Sequence, residues 1–168
     1  MIQGHASRDA RRAREFEAFV AGAGGRLLHA ATLLTAEARD DNPRARRLLT
    51  LALAHTYACW DRLHGDDPYD RTRRYLATRF ARTAWHERGG LLRSRPHPAG
   101  PLAGLGPQER LILVLRLHED VTEEQTAALL GLSADRVHAI CNRATTAVLD
   151  RRRRAPAPSV RGVGTVSS

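Results

Sequence analysis

The chain has 168 residues and is strongly basic, with 27 Lys+Arg against 18 Asp+Glu, a net charge of +9 and a pI near 11.1. This length allows one domain or two small ones, and the charge favours an anionic partner such as nucleic acid. No segment is apolar enough to span a membrane, and residues 1–15 lack the apolar core of a secretory signal. We therefore expect a cytoplasmic protein.

The N-terminal part is predicted to be helical from residue 15 onwards. Residues 1–14 are polar and lack apolar periodicity, so we expect a disordered basic arm there. The arm leads into a first helix that ends at Thr35. Three glycines within Ala21–Gly25 favour a kink or break in this helix, because each costs about 1 kcal/mol relative to Ala in a helix interior.

Two further helices complete the predicted N-terminal module, residues 15–88. One helix begins after Asn42, with Pro43 in its first turn, and the other runs from Tyr69 to Glu87. The latter places Leu76, Phe80 and Ala84 inward and leaves its arginines exposed.

The rest of the chain divides into a linker, a second module and a tail. Residues 89–104 are rich in Gly and Pro and are predicted to link the modules. Residues 105–154 form the second module, and residues 155–168 have too little apolar bulk to pack, so we expect a disordered tail. The predicted fold class is therefore all-α, with two small helical modules. Cys59 and Cys141 fall on different modules, which indicates reduced thiols rather than a disulfide.

The second module has the pattern of a helix-turn-helix. Thr122 and Gln125 form a capping box that begins a helix, and Gly131 supplies the left-handed conformation of a tight turn. Ser133 caps the next helix and is counted among the predicted DNA-binding residues. A preceding apolar run, Leu111 to Leu115, supplies the supporting helix.

The last helix is predicted to have one apolar face and one polar face. Val137, Cys141, Ala144 and Val148 form the apolar stripe. The polar face carries side chains that can donate to phosphates or base edges, namely Arg136, His138, Asn142 and Arg143. An ordinary three-helix core in a basic protein is the alternative interpretation, but the caps, the turn and the stripe agree with one another and favour the DNA-binding one.

Residues 105–144 resemble the C-terminal domain of the extracytoplasmic-function (ECF) sigma factors. The matching landmarks include Leu105, Pro107, Arg110, Glu119-Asp120, Leu130-Gly131-Leu132-Ser133, Val137 and Arg143-Ala144. The resemblance implies that the helix after Ser133 reads the minus-thirty-five promoter element, with Arg136, His138, Asn142 and Arg143 facing DNA. The family usually has Thr where Arg136 stands, and Lys or Arg where His138 and Ile140 stand. The groove-facing surface is therefore expected to be less basic than usual.

The N-terminal module resembles the same family less closely, through FEAFVAGAGGRLLHAATLLT and YACWDRL. The resemblance implies that Arg79, Arg82, Trp85 and Arg88 lie beside the downstream promoter element and hold its melted strand. The family carries an acidic stretch in its second helix that docks on the clamp helices of RNA polymerase. This chain has arginines there, and the implied polymerase-binding residues are Arg44, Arg46, Arg47 and Leu48.

Arginine is concentrated in two zones. Residues 71–95 contain eight arginines and one acid, and residues 135–154 contain six arginines and two acids. A charge run is commonly a solvated face, but two such zones in one helical chain favour phosphate contacts.

No motif indicates catalysis, a cofactor or a metal. His55 and Cys59 have metal-ligand spacing, but without a second pair a packed helix face is the better interpretation. The expected partners are promoter DNA, RNA polymerase core and an anti-sigma or other regulatory protein. Two alternatives stay open: an adaptor that no longer binds polymerase core, and a regulator that uses the helix-turn-helix alone.

Overall fold

The computed structural model describes residues 2–63, 65–86 and 99–154, and in these residues the regular structure is entirely helical. The all-α prediction is thereby confirmed. The described residues form six α-helices, namely α1 (Ile2–Thr35), α2 (Pro43–Ala58), α3 (Pro68–His86), α4 (Pro107–Leu113), α5 (Glu123–Leu130) and α6 (Ala134–Arg154). A 3₁₀ turn, Trp60–Arg62, follows α2, and a π-helical turn, Val114–His118, continues α4. None of the described helices is long and apolar enough to cross a membrane.

Helix α1 begins earlier than the sequence suggested. The expectation of a disordered arm is wrong for residues 2–14, which form the first turns of this helix. The Arg12 guanidinium donates to the Asp61 carboxylate at 3.0 Å and lies 4.7 Å from the centre of the Tyr57 ring. These contacts attach the start of α1 to the end of α2, a stabilisation that polarity along the chain could not indicate.

The glycines of α1 do not interrupt it, so the predicted break within Ala21–Gly25 is also wrong. Both flanking turns are held by packing. On one side the Phe16 ring meets the Trp60 ring edge-on, with centroids 5.2 Å apart, and on the other Leu27 is fully buried. Burial of large side chains is worth about 2 kcal/mol each, which offsets the glycine cost of about 1 kcal/mol each.

Helix α2 begins at Pro43 as predicted, but another residue supplies its cap. The carboxylate of Glu37 accepts from the backbone N–H groups of Arg44 at 3.0 Å and Ala45 at 2.8 Å. A carboxylate at this end also complements the helix dipole. Glu37 is therefore committed to the first turn of α2.

The helix-turn-helix signals are confirmed in detail. The Gln125 N–H donates to the Thr122 hydroxyl at 3.2 Å, and the Thr122 N–H donates to the Gln125 side chain at 3.3 Å. Gly131 has φ 66° and ψ 36°, the left-handed conformation that a β-carbon would strain. The chain therefore turns between α5 and α6 where the sequence predicted.

The two predicted modules pack against each other in the structure. Of the predicted linker, residues 89–98 lie outside the described part, while residues 99–104 fold back onto α1, where the Ala99 N–H donates to the Ala36 carbonyl at 2.8 Å. The Arg110 guanidinium donates to the Leu34 carbonyl at 2.8 Å. Apolar residues of α1, α3 and α4 consequently form one continuous core.

A buried carboxylate lies at the centre of this contact, which we call the module seam. The Glu119 side chain is 1% exposed and accepts from the Tyr69 hydroxyl at 2.8 and 3.1 Å. The Arg26 guanidinium lies 3.7 Å from the same carboxylate and 5.1 Å from the centre of the Tyr69 ring. Burial raises the pKa of Tyr69 far above its usual value, and the bond to Glu119 adds to this rise. The phenol stays protonated and can donate.

Two histidines at the seam make the packing sensitive to acid. The rings of His29 and His118 lie 5.0 Å apart, and desolvation followed by the charges of His118 and Arg39 lowers the pKa of His29 below its ordinary 6.5. The unfolded chain then binds more protons than the folded one as the pH falls below 6.5. The contribution of His29 to stability is therefore present above that pH and declines as the pH falls toward the lower, folded-state pKa.

We expect the melting temperature to fall between about pH 7.5 and about pH 5.5, and to fall less in a His29→Gln variant, whose side chain does not titrate. Calorimetry at both values measures the difference. Arg26 and Glu119 also face this region, but both are unchanged in the variant, so they cancel in the comparison. Equal losses in the parent and the variant would contradict a role for His29.

Candidate nucleic-acid interface

The beginning of α6 is fixed by Ser133. Its hydroxyl accepts from the Arg136 N–H at 3.2 Å, and the residue itself is exposed at the end of the helix. Such a cap leaves other N–H groups of the first turn free to meet an anion. Ser133 was predicted to face DNA, and the structure places it where a phosphate could approach the helix end.

The inner face of α6 is fully packed. Its buried members are Val137, Ile140, Cys141 and Ala144, with exposures between 0% and 8%. Val148 is partly buried. The sequence had placed Ile140 on the groove-facing surface, and this is wrong, because Ile140 is 1% exposed and belongs to the core.

The predicted polar face of α6 is exposed. Arg136 and Asn142 are exposed, and the side chains of His138 and Arg143 are each 59% exposed. Two further exposed residues, Ala139 and Thr146, lie on this face and were missed. Their spacing of three and four residues from Asn142 could have identified them.

A hydrogen-bonded chain orients the middle of this face. The Glu123 carboxylate contacts Nδ1 of His138 at 2.9 Å, and Nε2 of the same ring contacts Nδ2 of Asn142 at 2.8 Å. A carboxylate can only accept, so Nδ1 donates to Glu123, and Nε2 accepts from the amide nitrogen of Asn142. The Oδ1 atom of Asn142 is thereby left as an acceptor on the outer side.

Arg143 is held by an acid from another helix. Its Nε lies 3.4 Å from the Glu109 carboxylate, whose other oxygen accepts from the Gly106 N–H at 2.9 Å and caps α4. Exposed pairs of this kind are worth at most about 1 kcal/mol, so an incoming phosphate can compete for the guanidinium. The pair holds Arg143 close to the face without fixing it there.

In the N-terminal module the predicted DNA-facing residues belong to α3 and the segment after it. Arg79 and Arg82 are exposed on α3. Trp85 lies in the last turn of this helix, with its side chain outside the described part, and Arg88 falls outside the described residues.

The predicted polymerase-binding residues do not all lie together. Arg44, Arg47 and Leu48 line an open cleft of about 420 Å³ between α2 and α3, and Arg79 joins them from the other side. Arg46 is bonded elsewhere, since its Nε donates to Asn42 at 2.9 Å. Arg79, which was predicted to contact DNA, therefore lines the same cleft as three of the residues predicted to contact polymerase.

Within the described residues no group of three or more His, Cys, Asp or Glu side chains could hold a metal ion. The His55 ring stacks on the Tyr75 ring, with centroids 4.1 Å apart and an angle of 16° between the planes. The Tyr75 ring is therefore paired within the protein.

A capped helix-turn-helix with an exposed polar face, packed on a three-helix module, defines an all-α DNA-binding protein. Residues 102–148 match sigma-70 region 4. The chain is 30% identical to the RNA polymerase sigma-E factor of Streptomyces coelicolor over an alignment 149 residues long. The matched part covers 77% of this chain and 81% of that protein. No solved structure matches.

The chain belongs to the ECF sigma factor family, as a divergent member. It is a sigma factor, which directs promoter-specific transcription by binding DNA.

Proposed function

We propose that this sigma factor reads the upstream promoter element with the outer face of α6. The supporting observation is the exposed group of Arg136, His138, Asn142 and Arg143, presented on a helix whose other face is buried. Guanidinium groups donate to phosphates or, in pairs of bonds, to guanine. Ser133 fixes the end of the helix at which a phosphate would bind.

Asn142 is the residue best placed to read a base. Its amide nitrogen is engaged with His138, which turns the carbonyl oxygen outward. An oxygen so oriented accepts from the exocyclic amino group of adenine or cytosine. His138 then acts by positioning Asn142, in addition to any contact of its own.

The N-terminal module takes the second role. In this proposal residues 15–88 and 105–154, joined by residues 89–104, have different tasks, although their apolar residues share one core. Arg79, Arg82, Trp85 and Arg88 hold the melted downstream element, and α2 contacts RNA polymerase core through Arg44, Arg46, Arg47 and Leu48. The chain regulates initiation without chemistry of its own, works in the cytoplasm beside the polymerase, and is open to control by an anti-sigma or other regulatory protein.

One observation favours a second candidate function. The α2 surface carries exposed arginines where the family's acidic motif is expected, and reversed charge at an interface costs several kcal/mol. An adaptor that binds DNA and a different protein would carry such a surface. A regulator using the helix-turn-helix alone is less well supported, because the similarity to the sigma-E factor covers 77% of the chain, more than one module contains.

Reconstitution with core polymerase separates these functions. A sigma factor is expected to bind core and to start transcripts from a cognate promoter in a purified system. An adaptor would bind the promoter while leaving core inactive. Failure to bind core, with intact DNA binding, would refute the polymerase part of the proposal.

We predict that Arg136→Ala and Arg143→Ala each weaken promoter binding about tenfold, the lower end of the range for a lost base or phosphate contact. Log affinity should fall linearly with log salt, and each lost phosphate contact should reduce the slope by about 0.9. Fluorescence anisotropy over a salt series measures both quantities.

Arg143→Lys is the matched control, because it keeps the charge and removes the paired donors. A phosphate contact should survive this change, whereas a guanine contact should not. If promoter affinity is unaffected by salt and by both alanine variants, the helix does not lie in the groove.

A further inference from the structure

The cleft between α2 and α3, which we call the arginine cleft, has an unusual composition. Its lining residues are Thr35, Arg44, Arg47, Leu48, Leu51, Arg79, Phe80 and Thr83. Three guanidinium groups therefore surround an apolar floor in an open space of about 420 Å³, large enough for a few side chains of another molecule.

The three guanidinium groups of the cleft have no ion-pair partner within the described residues. The side chains of Arg44, Arg47 and Arg79 make no ion pair or hydrogen bond there. The nearby carboxylate of Glu37 is committed to backbone N–H groups at the start of α2. Two of these charges lie one turn apart on α2 and the third lines the same cleft from α3. Like charges around one cleft repel one another, and an anionic partner would relieve that repulsion.

The floor of the cleft indicates which anion fits. Leu51 is 37% exposed and Leu48 is partly exposed, so both offer aliphatic surface to the cleft. Phe80, the one aromatic residue of the lining, is 7% exposed and offers little ring surface. Single-stranded nucleic acid is held by stacking on aromatic faces, whereas an aliphatic floor suits an aliphatic side chain.

We propose that the arginine cleft binds an acidic segment of a partner protein, one that inserts an aliphatic side chain between two carboxylates. The inference rests on the proposed role of α2 as a protein-contact surface. It adds that the contacted segment is acidic and carries an aliphatic side chain. Carboxylates meet guanidinium groups in paired hydrogen bonds, and the aliphatic side chain covers Leu48 and Leu51. The expected partner surface is thus acidic. The family's acidic motif, in contrast, implies a basic surface on the polymerase clamp.

The probe is a helical peptide of about 15 residues that carries one leucine between two glutamates four positions apart. The same peptide with glutamine in place of glutamate is its control. The full chain should bind the glutamate peptide at least about tenfold more tightly than the glutamine peptide at low salt, since paired guanidinium-carboxylate bonds are lost in the control. Equal binding of the two peptides would overturn the proposal.

Three variants locate the binding. Arg47→Glu and Arg79→Glu, on opposite walls of the cleft, should each lower peptide affinity at least about tenfold, and Leu51→Asp should lower it similarly. Arg62→Glu is the matched control, because it makes the same change of net charge on the exposed 3₁₀ turn outside the cleft. If Arg62→Glu costs as much as Arg47→Glu, the attraction is general and the cleft is not the site.

Core polymerase and promoter DNA complete the test. If the parent fails to bind core, the polymerase part of the proposed function fails, while the peptide comparison still decides the chemistry of the cleft. If Arg47→Glu binds core more tightly than the parent, α2 meets a basic surface and the cleft proposal is wrong. Arg79 is also assigned to the melted promoter strand, so Arg47→Glu carries this part of the test. If Arg47→Glu weakens promoter binding and leaves peptide binding unchanged, the cleft contacts nucleic acid and the proposal is wrong.

Discussion

Replacing Cys141 by aspartate is expected to unfold the C-terminal helices and to abolish promoter binding. Cys141 is 8% exposed and packs with Val137, Ile140 and Ala144 between α6 and the helices beneath it. An unpaired carboxylate buried there would cost roughly 4 kcal/mol or more, comparable with the whole stability of a small domain. Thermal unfolding followed by circular dichroism should show a large loss of melting temperature or of helix signal.

Two control variants separate burial from other effects of the change. Asn142→Asp introduces the same carboxylate at the next, exposed position and should melt within a few degrees of the parent. Cys141→Ala removes the thiol without adding charge and should cost only about 1 kcal/mol. Were the Cys141→Asp variant to melt like the parent, the faces of α6 would be assigned wrongly, and the DNA-facing residues with them.

The features that could be predicted from the sequence depend on neighbouring residues. The capping box of Thr122 and Gln125, the turn at Gly131 and the cap at Ser133 each involve groups within three residues of one another. Local chemistry of this kind determines where α5 and α6 begin and end. The exposure of Arg136, His138, Asn142 and Arg143 then followed from helical spacing alone.

The features that failed depend on residues far apart in the sequence. The start of α1 is held by the contacts of Arg12 with Tyr57 and Asp61. These contacts could not be predicted from the composition of residues 2–14. Ile140 was misplaced because the predicted stripe was narrow, whereas α6 packs on two helices and buries a broader face. The packing of the two modules was not predicted either, since it depends on pairs such as Tyr69 and Glu119.

The candidate sites divide in the same way. Spacing on α6 predicted which side chains are exposed, but not that Glu123 and His138 orient Asn142 or that Glu109 holds Arg143. The arginine cleft joins residues of α2 with one of α3, so the basic zones of the sequence could not reveal it. Charge along the chain indicates the class of partner, and only tertiary packing indicates where that partner fits.

The second large effect is expected at the module seam, where Glu119→Ala should destabilise the protein by about 2 kcal/mol, in the range for leaving a buried hydrogen-bonding group without its partner. The variant leaves the Tyr69 hydroxyl without its acceptor and removes the carboxylate that lies 3.7 Å from the Arg26 guanidinium. Urea unfolding measures the loss. Small-angle X-ray scattering should also show a larger radius of gyration, because the seam holds α1 and α3 against the end of α4.

A double-mutant cycle tests whether Glu119 acts through Tyr69. Tyr69→Phe alone should cost about 2 kcal/mol, since it deprives a buried carboxylate of its hydroxyl donor while keeping the ring under Arg26. In the Glu119→Ala background the same change should cost much less, because its partner is already absent. If the two losses simply add, the hydroxyl and the carboxylate contribute independently, and the seam owes its stability to the surrounding apolar contacts instead.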